Sequence, residues 1–306
     1  MNIYYGIDTY KINVTSICFN KLIKEDIILI PANDVKRSSF FSDPLPGKLK
    51  SIYIRIGNTI IIYDHLTDVL IDTKNNQIYT DNVPEYIYKI YPELKLFNIH
   101  KQLKIEYGSF KDEYPEQMMV TRYLTGNEKV LEIGSNIGRN SMIIAHILNK
   151  NNNNNFVTLE SDETIFKQLM HNKEINNLDF YAENAALSHR KLIQNGWNTM
   201  VSDELIPGWN NINTITYNEL MLKYNINFDT LVLDCEGAFY YILMDMPVII
   251  DNVTLIIMEN DYTEANHKIY IDNILKQNNF YVDYSQSGGW GYCYHNFFEV
   301  WKRRSE

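Results

Sequence analysis

Cysteine is scarce in this chain of 306 residues. Cys18, Cys235 and Cys293 are odd in number and widely separated, which excludes a disulfide framework and a CxxC zinc site and makes a reducing, cytoplasmic setting the expectation. Positive charge is short as well, with 28 Lys and Arg against 38 Asp and Glu and a net charge of −10. A protein of that balance does not hold duplex DNA by neutralising phosphates, so no nucleic-acid partner is expected, and a neutral or cationic substrate is easier to accommodate than a polyanion. Long apolar runs are missing too. None approaches the ~18 residues of a membrane span, and Met1 to Lys11 lacks a basic stretch followed by an apolar one, so a soluble protein without a membrane partner is expected.

What the chain does have is 45% hydrophobic and 13% aromatic residues, enough for a substantial core. The run Asn151 to Asn155 reads as a compositional bias in a loop. Short β-branched and aromatic stretches, Tyr10 to Ile17, Asp26 to Ile30, Leu49 to Ile56 and Thr59 to Tyr63, alternate with turn residues and predict a small all-β domain over residues 1–105, for carbohydrate recognition or oligomerisation. Its segments Asn33 to Arg37 and Asp43 to Lys48 are candidates for a sugar-recognising surface. From Tyr114 onward strands and helices alternate, so residues 106–306 predict an α/β domain with a mostly parallel sheet. Its strands are expected at Val130 to Ile133, Phe156 to Leu159, Thr230 to Leu233, Val253 to Met258, Tyr281 to Tyr284 and Asn296 to Trp301. Helices are expected at Gly138 to Asn149, Asp162 to Asn176, Gly237 to Met246 and Glu264 to Gln277.

The strongest local signal is Glu132-Ile133-Gly134-Ser135-Asn136-Ile137-Gly138, between a strand and a helix. Glycines there allow a tight turn and let a ligand approach the main chain at the carboxyl end of the sheet. The G-x-x-x-G spacing lacks the middle glycine of a dinucleotide turn and the Lys of a P-loop, which weakens both phosphate readings. Glu132 would repel a pyrophosphate and suit a cation, while Glu160, after the next strand, offers two acceptor oxygens to the hydroxyls of a ribose. A sulfonium nucleoside, S-adenosylmethionine, meets both conditions. Asn184, among small residues, could address an adenine edge, and Asp234 and Glu236, after the fourth strand, are candidate proton acceptors. Simple strand-to-helix turns and solvated surface acids are the alternatives for these segments.

Taken together, Tyr114-Pro115-Glu116-Gln117, Val130 to Ser141, Leu159 to Asp162, Asn184 to Ser188, Asp229 to Gly237 and Ile256 to Asp261 resemble the FkbM family of class I S-adenosylmethionine-dependent methyltransferases, over roughly Tyr114 to Arg303. Details such as Asp234-Cys235-Glu236-Gly237 look like members from large DNA viruses and protists, for which the host cytoplasm would be the location. The resemblance implies a Rossmann-like, seven-stranded class I methyltransferase sheet and O-methylation of a sugar or glycan acceptor. It adds Gln117, Ser135, Asn136, Asn140, Ser141, Ser161, Ala185 and Asp234 to Glu132, Gly134, Gly138, Glu160 and Asn184 as cofactor residues. It also raises magnesium, held by Asp234, Glu259 and Asn260. Substrate contacts are expected from Glu259, Asp261, Trp290 and Tyr292, with Trp197 and Trp209 able to stack on a sugar ring. The competing readings are a carbohydrate-binding protein with a degenerate methyltransferase fold and a nicotinamide-dependent oxidoreductase.

Overall fold

The computed structural model describes residues 1–304, which divide into two compact units between Tyr91 and Pro92. The division falls ahead of residue 105 because the helix Pro92–His100 packs on Tyr114–Tyr123 of the second unit.

The first unit holds two four-stranded antiparallel sheets but is not all-β. Helices occupy Thr15–Lys21, Asp34–Phe41 and Glu85–Ile90, so the run from Tyr10 leaves its strand at Asn13 and turns helical. Several polar groups of the Asn33 to Arg37 segment, read as part of a sugar-recognising surface, are engaged within the unit. Asn33 caps a helix by accepting from the Val35 and Lys36 amides, and Asp34 pairs with Lys50 at 2.9 Å and accepts from the Tyr5 hydroxyl at 2.6 Å. Arg37 is fully buried and donates to the carbonyls of Pro31, Asp64 and Thr67 at 2.6–2.8 Å.

In the second unit we number the sheet strands β1 (Val130–Ile133), β2 (Phe156–Leu159), β3 (Tyr181–Glu183), β4 (Thr230–Leu233), β5 (Leu255–Glu259), β6 (Phe280–Gln286) and β7 (Phe298–Arg303). Their spatial order is 3-2-1-4-5-7-6, with all neighbours parallel except β7, which runs antiparallel to β5 and β6. This is the Rossmann-like, mostly parallel seven-stranded sheet that the sequence reading expected. The central strands β1, β2 and β4 are buried along their whole length because helices cover both faces.

The helices are α1 (Pro92–His100), α2 (Tyr114–Tyr123), α3 (Arg139–Asn149), α4 (Glu163–Glu174), α5 (Tyr217–Tyr224), α6 (Phe239–Asp245) and α7 (Ala265–Gln277). Asp162 caps α4 through the Thr164 and Ile165 amides, and Thr216 with Glu219 forms a capping box on α5. The β3–β4 connection carries an antiparallel insert of Leu192–Asn195, Asn198–Val201 and Asn210–Ile212. Lys302 and Arg303 end β7. Lys302 pairs with Asp283 at 3.1 Å, and Arg303 donates to the Asp251 carbonyl at 2.6 Å. No helix among the described residues is long and apolar enough to cross a membrane.

Candidate active site

The carboxyl ends of β1, β2, β4 and β5 surround a cavity of about 460 Å³, in the size range of small-molecule sites. Its shape begins with Gly134, directly after β1. At φ +85° this residue occupies the left-handed region, and a Cβ there would lie 1.6 Å from the Asp234 carbonyl oxygen. Only glycine lets the β1 and β4 turns meet so closely. Gly138, at φ +89°, opens α3 where a Cβ would strike Leu169 of α4.

Glu160 enters the cavity from the end of β2. Its two oxygens accept from the Asn136 amide at 2.9 Å and the Asp162 amide at 2.8 Å, so the carboxylate is fixed while lone pairs remain. Burial pushes its pKa up to about 7. Asn136, Ser161 and Ala185 line the same wall.

Glu132 does not share this cavity. Side chains alternate along a strand, so Ile133 reaches the cavity edge and Glu132 points to the opposite face. There it is fully buried and accepts from the Thr158 hydroxyl at 2.6 Å and from Ser141. Burial raises it to about 7. The expectation that Glu132 and Glu160 flank one cation is therefore corrected: Glu132 and Ser141 tie α3 to the sheet.

Other expected cofactor residues are also structural. Ser135 donates its hydroxyl to the Leu159 carbonyl at 3.1 Å, joining the β1 and β2 ends. Gln117 is buried, donating to the Asp112 carbonyl at 2.7 Å and bonded to His100 at 2.7 Å, because it lies one helical step away from the cavity-facing Glu116. Asn184 donates to the carbonyls of Glu160 at 2.9 Å and Ser161 at 3.2 Å, holding their loop instead of meeting an adenine. Asn140 is buried in α3 off the cavity lining.

The opposite wall is acidic. Asp234, Glu236 and Glu259 line it as expected positions, joined by Glu113 and Glu116, which the sequence reading did not single out as site residues. Burial and then repulsion from neighbouring carboxylates hold Asp234 well above the usual carboxylate range. Glu259 is pushed by burial and by Asp234 and Glu116 up to about 11, so it carries a proton and shares it with Glu116. Glu113 is also raised by burial, against the pull of Arg139, whose Nη1 lies 2.5 Å from it. The signal for Glu116 was its place in the Tyr114 to Gln117 segment that carried the resemblance, and Glu113 directly precedes that segment; their convergence on β4 and β5 is a product of folding.

The expected magnesium set does not form. Asn260 is buried, donates to the Asn296 carbonyl at 2.6 Å and to Glu299 at 3.1 Å, and does not line the cavity. Among the described residues no three His, Cys, Asp or Glu side chains converge as a metal site.

Asp261 lies beyond β5 beside a second cavity. Its Oδ1 accepts from the Gly237 amide at 2.7 Å, it is hydrogen-bonded to Glu236, and burial with the charge of Glu236 raises it to about 7. Trp290 lines that second cavity, Trp197 lines both, and Tyr292 is exposed and lines neither. Trp209 likewise stands off both linings. Cys235 lines the first cavity with its thiol pushed well up by burial, which leaves it protonated and unreactive.

No family model matches the chain, and neither does any curated protein. Among solved structures it is similar to the O-methyltransferase from Bacillus cereus in complex with S-adenosylhomocysteine, at 15% identity and TM-score 0.39, covering 72% of this chain and 96% of that one. It is similar to the ribosomal protein L11 methylase from Lactobacillus delbrueckii subsp. bulgaricus, at 11% identity and TM-score 0.40, covering 65% and 82%. A protein in the NADB-Rossmann superfamily from Streptococcus agalactiae follows at 12% identity and TM-score 0.37, covering 61% and 67%. Likeness at this level assigns neither fold nor reaction, which rest here on the chain's own topology and cavity.

Proposed function

We propose that the second unit is an S-adenosylmethionine-dependent O-methyltransferase of FkbM type, acting on a hydroxyl of a sugar or glycan in a cytoplasmic setting. The observation that carries this reading is one cavity with a fixed carboxylate, Glu160, at one end and the Asp234 and Glu236 pair at the other. When bound, the cofactor supplies a methyl group that an acceptor oxygen displaces from sulfur, the bond pair staying with sulfur and the hydroxyl proton going to a base.

The residues present fit such a group. Glu160 keeps acceptor capacity for two ribose hydroxyls after taking two backbone amides. Ala185, Ala186 and Leu187 offer an apolar slot for a flat base. The carboxylates of Glu113, Glu116 and Asp234 favour a cationic sulfonium and disfavour a polyphosphate. Gly134 keeps the Asp234 backbone close to the ligand-facing turn. Asp234 and Glu236, whose proton affinities are raised by burial, line the cavity where an acceptor hydroxyl could hand over its proton. Glu259 and Glu116 act as a proton-sharing pair that limits repulsion around Asp234.

Calorimetry with S-adenosylhomocysteine tests this directly. The expected result is one-site binding in the micromolar range by the full chain; no heat and no thermal shift at high micromolar ligand would end the reading.

A further inference from the structure

Beside the first cavity lies a second of about 500 Å³, and the two share Leu187, Leu192, Trp197, Glu236 and Ile242 along one seam. We propose that this second chamber seats the acceptor, as an uncharged or amine-bearing sugar ring stacked on aromatic faces, and that it rejects acidic and phosphorylated sugars. The inference rests on the methyltransferase reading for the word acceptor, but the chamber's ligand class stands on its own lining.

Three large aromatic side chains line the chamber yet stay well exposed: Trp197 at 60%, Tyr241 at 47% and Trp290 at 50%. A sugar presents apolar C–H faces and polar edges, and an aromatic face buries the first while leaving the second to hydrogen-bond. Tyr241 is itself braced, edge-on to Tyr240 at 5.0 Å, and Tyr240 stacks on His267 at 3.8 Å. This gives the platform a fixed orientation before any ligand arrives.

Polar groups in the chamber set the charge it accepts. Glu236, Asp245 and Asp261 line it, and its one guanidinium, Arg190, is already held by Asp245 at 2.6 Å. A carboxylate or phosphate on the ring would therefore meet Glu236 and Asp261 with no lysine and no unpaired arginine among the lining residues to offset them, His267 being stacked on Tyr240, whereas an amino group would be welcomed. Glu236 stands at the seam in a left-handed conformation, φ 51°, which is uncommon for a residue with a side chain and is seen where the surrounding structure imposes it. The Gly237 amide held by Asp261 supplies that constraint. A ring hydroxyl directed at Glu236 would lie at the seam from which both chambers are reached.

The test uses the full chain with S-adenosylhomocysteine present and a panel of methyl glycosides of a neutral hexose, a hexosamine and a hexuronate, read by saturation-transfer NMR and titration at low salt. Binding of the neutral or amino glycoside, at least tenfold tighter than the hexuronate, is expected. Tyr241→Ala and Trp290→Ala, both surface-accessible positions absent from the first cavity, should each weaken glycoside binding about tenfold and leave S-adenosylhomocysteine affinity within twofold, and Trp290→Phe should restore most of the loss. Equal or tighter binding of the hexuronate, no glycoside binding by any member of the panel, or variants that weaken the nucleoside and spare the glycoside would overturn the proposal. If wild type binds no S-adenosylhomocysteine, the cofactor reading fails by itself; Tyr241-dependent glycoside binding would still uphold the chamber, and its absence would sink that too.

Discussion

Glu160→Ala removes a carboxylate whose two oxygens hold the Asn136 and Asp162 amides at 2.9 and 2.8 Å within a wall that is 8% exposed. Two effects follow and can be separated. Without ligand, two buried donors lose their acceptor, at roughly 1–3 kcal/mol each, and water entering from the cavity should recover part of this. A net loss of about 2–3 kcal/mol corresponds to a fall in Tm of roughly 4–12 °C for a unit of this length. With ligand, two hydroxyl-to-carboxylate bonds disappear, each contributing about 1.5–3 kcal/mol when one partner is charged. Their joint loss of at least about 3 kcal/mol weakens S-adenosylhomocysteine roughly a hundredfold or more. Glu160→Gln should fall between wild type and alanine, because one carbonyl survives while the new NH₂ opposes a backbone donor. Scanning calorimetry reads the first effect and isothermal titration the second, both on the full chain. A folded Glu160→Ala protein that binds within threefold of wild type would refute the ribose assignment.

Gly134→Ala places a methyl group 1.6 Å from the Asp234 carbonyl at a left-handed φ, so thermal melting should show a loss of about 3 kcal/mol or more, or no folded protein; a wild-type melting curve would disprove the close approach. Asp234→Asn keeps the shape of a buried, crowded acid but removes its ability to take up a proton, and we expect methyl transfer to fall at least a hundredfold with S-adenosylhomocysteine affinity changed much less. A variant that keeps full turnover would remove Asp234 from the chemistry. The pH dependence has a definite sign. Glu132 and Glu160 rise from 4.5 unfolded to about 7 folded, so their stabilisation is complete below pH 4.5 and is lost as pH rises through 7. Asp261, raised from 3.8 to about 7, adds to the same window. Tm should therefore decline from pH 5 to pH 8, while nucleoside affinity should improve over that range as Glu160 ionises; melting and titration at four pH values would expose the opposite trends.

Much of the second unit was legible from residue order alone. Val130–Ile133, Phe156–Leu159 and Thr230–Leu233 are short, mostly apolar and β-branched runs bounded by turn residues, as strands covered on both sides require, and each falls on the expected residues. The four helices that were expected begin within a residue or two of their expected starts, where turn glycines and the Asp162 cap mark them, while Pro92–His100, Tyr114–Tyr123 and Tyr217–Tyr224 were not foreseen. The first unit was less readable. Ile17 and Phe19 sit in a helix although β-branched and aromatic residues dominate the segment, because packing of Val14 and Cys18 into the core outweighs local preference.

Local sequence by itself determined where strands stop, which glycines the turns require, and that carboxylates gather at the ends of β2, β4 and β5, since these follow from periodicity and steric limits over a few residues. Only the tertiary structure decided which of those acids face a ligand. Strand alternation turned Glu132 inward to Thr158 and Ser141, one helical step separated Glu116 from Gln117, and the β5–β7 pairing drew Asn260 to Glu299. Side-chain direction depends on what packs against each face, and that partner comes from residues far away in the chain.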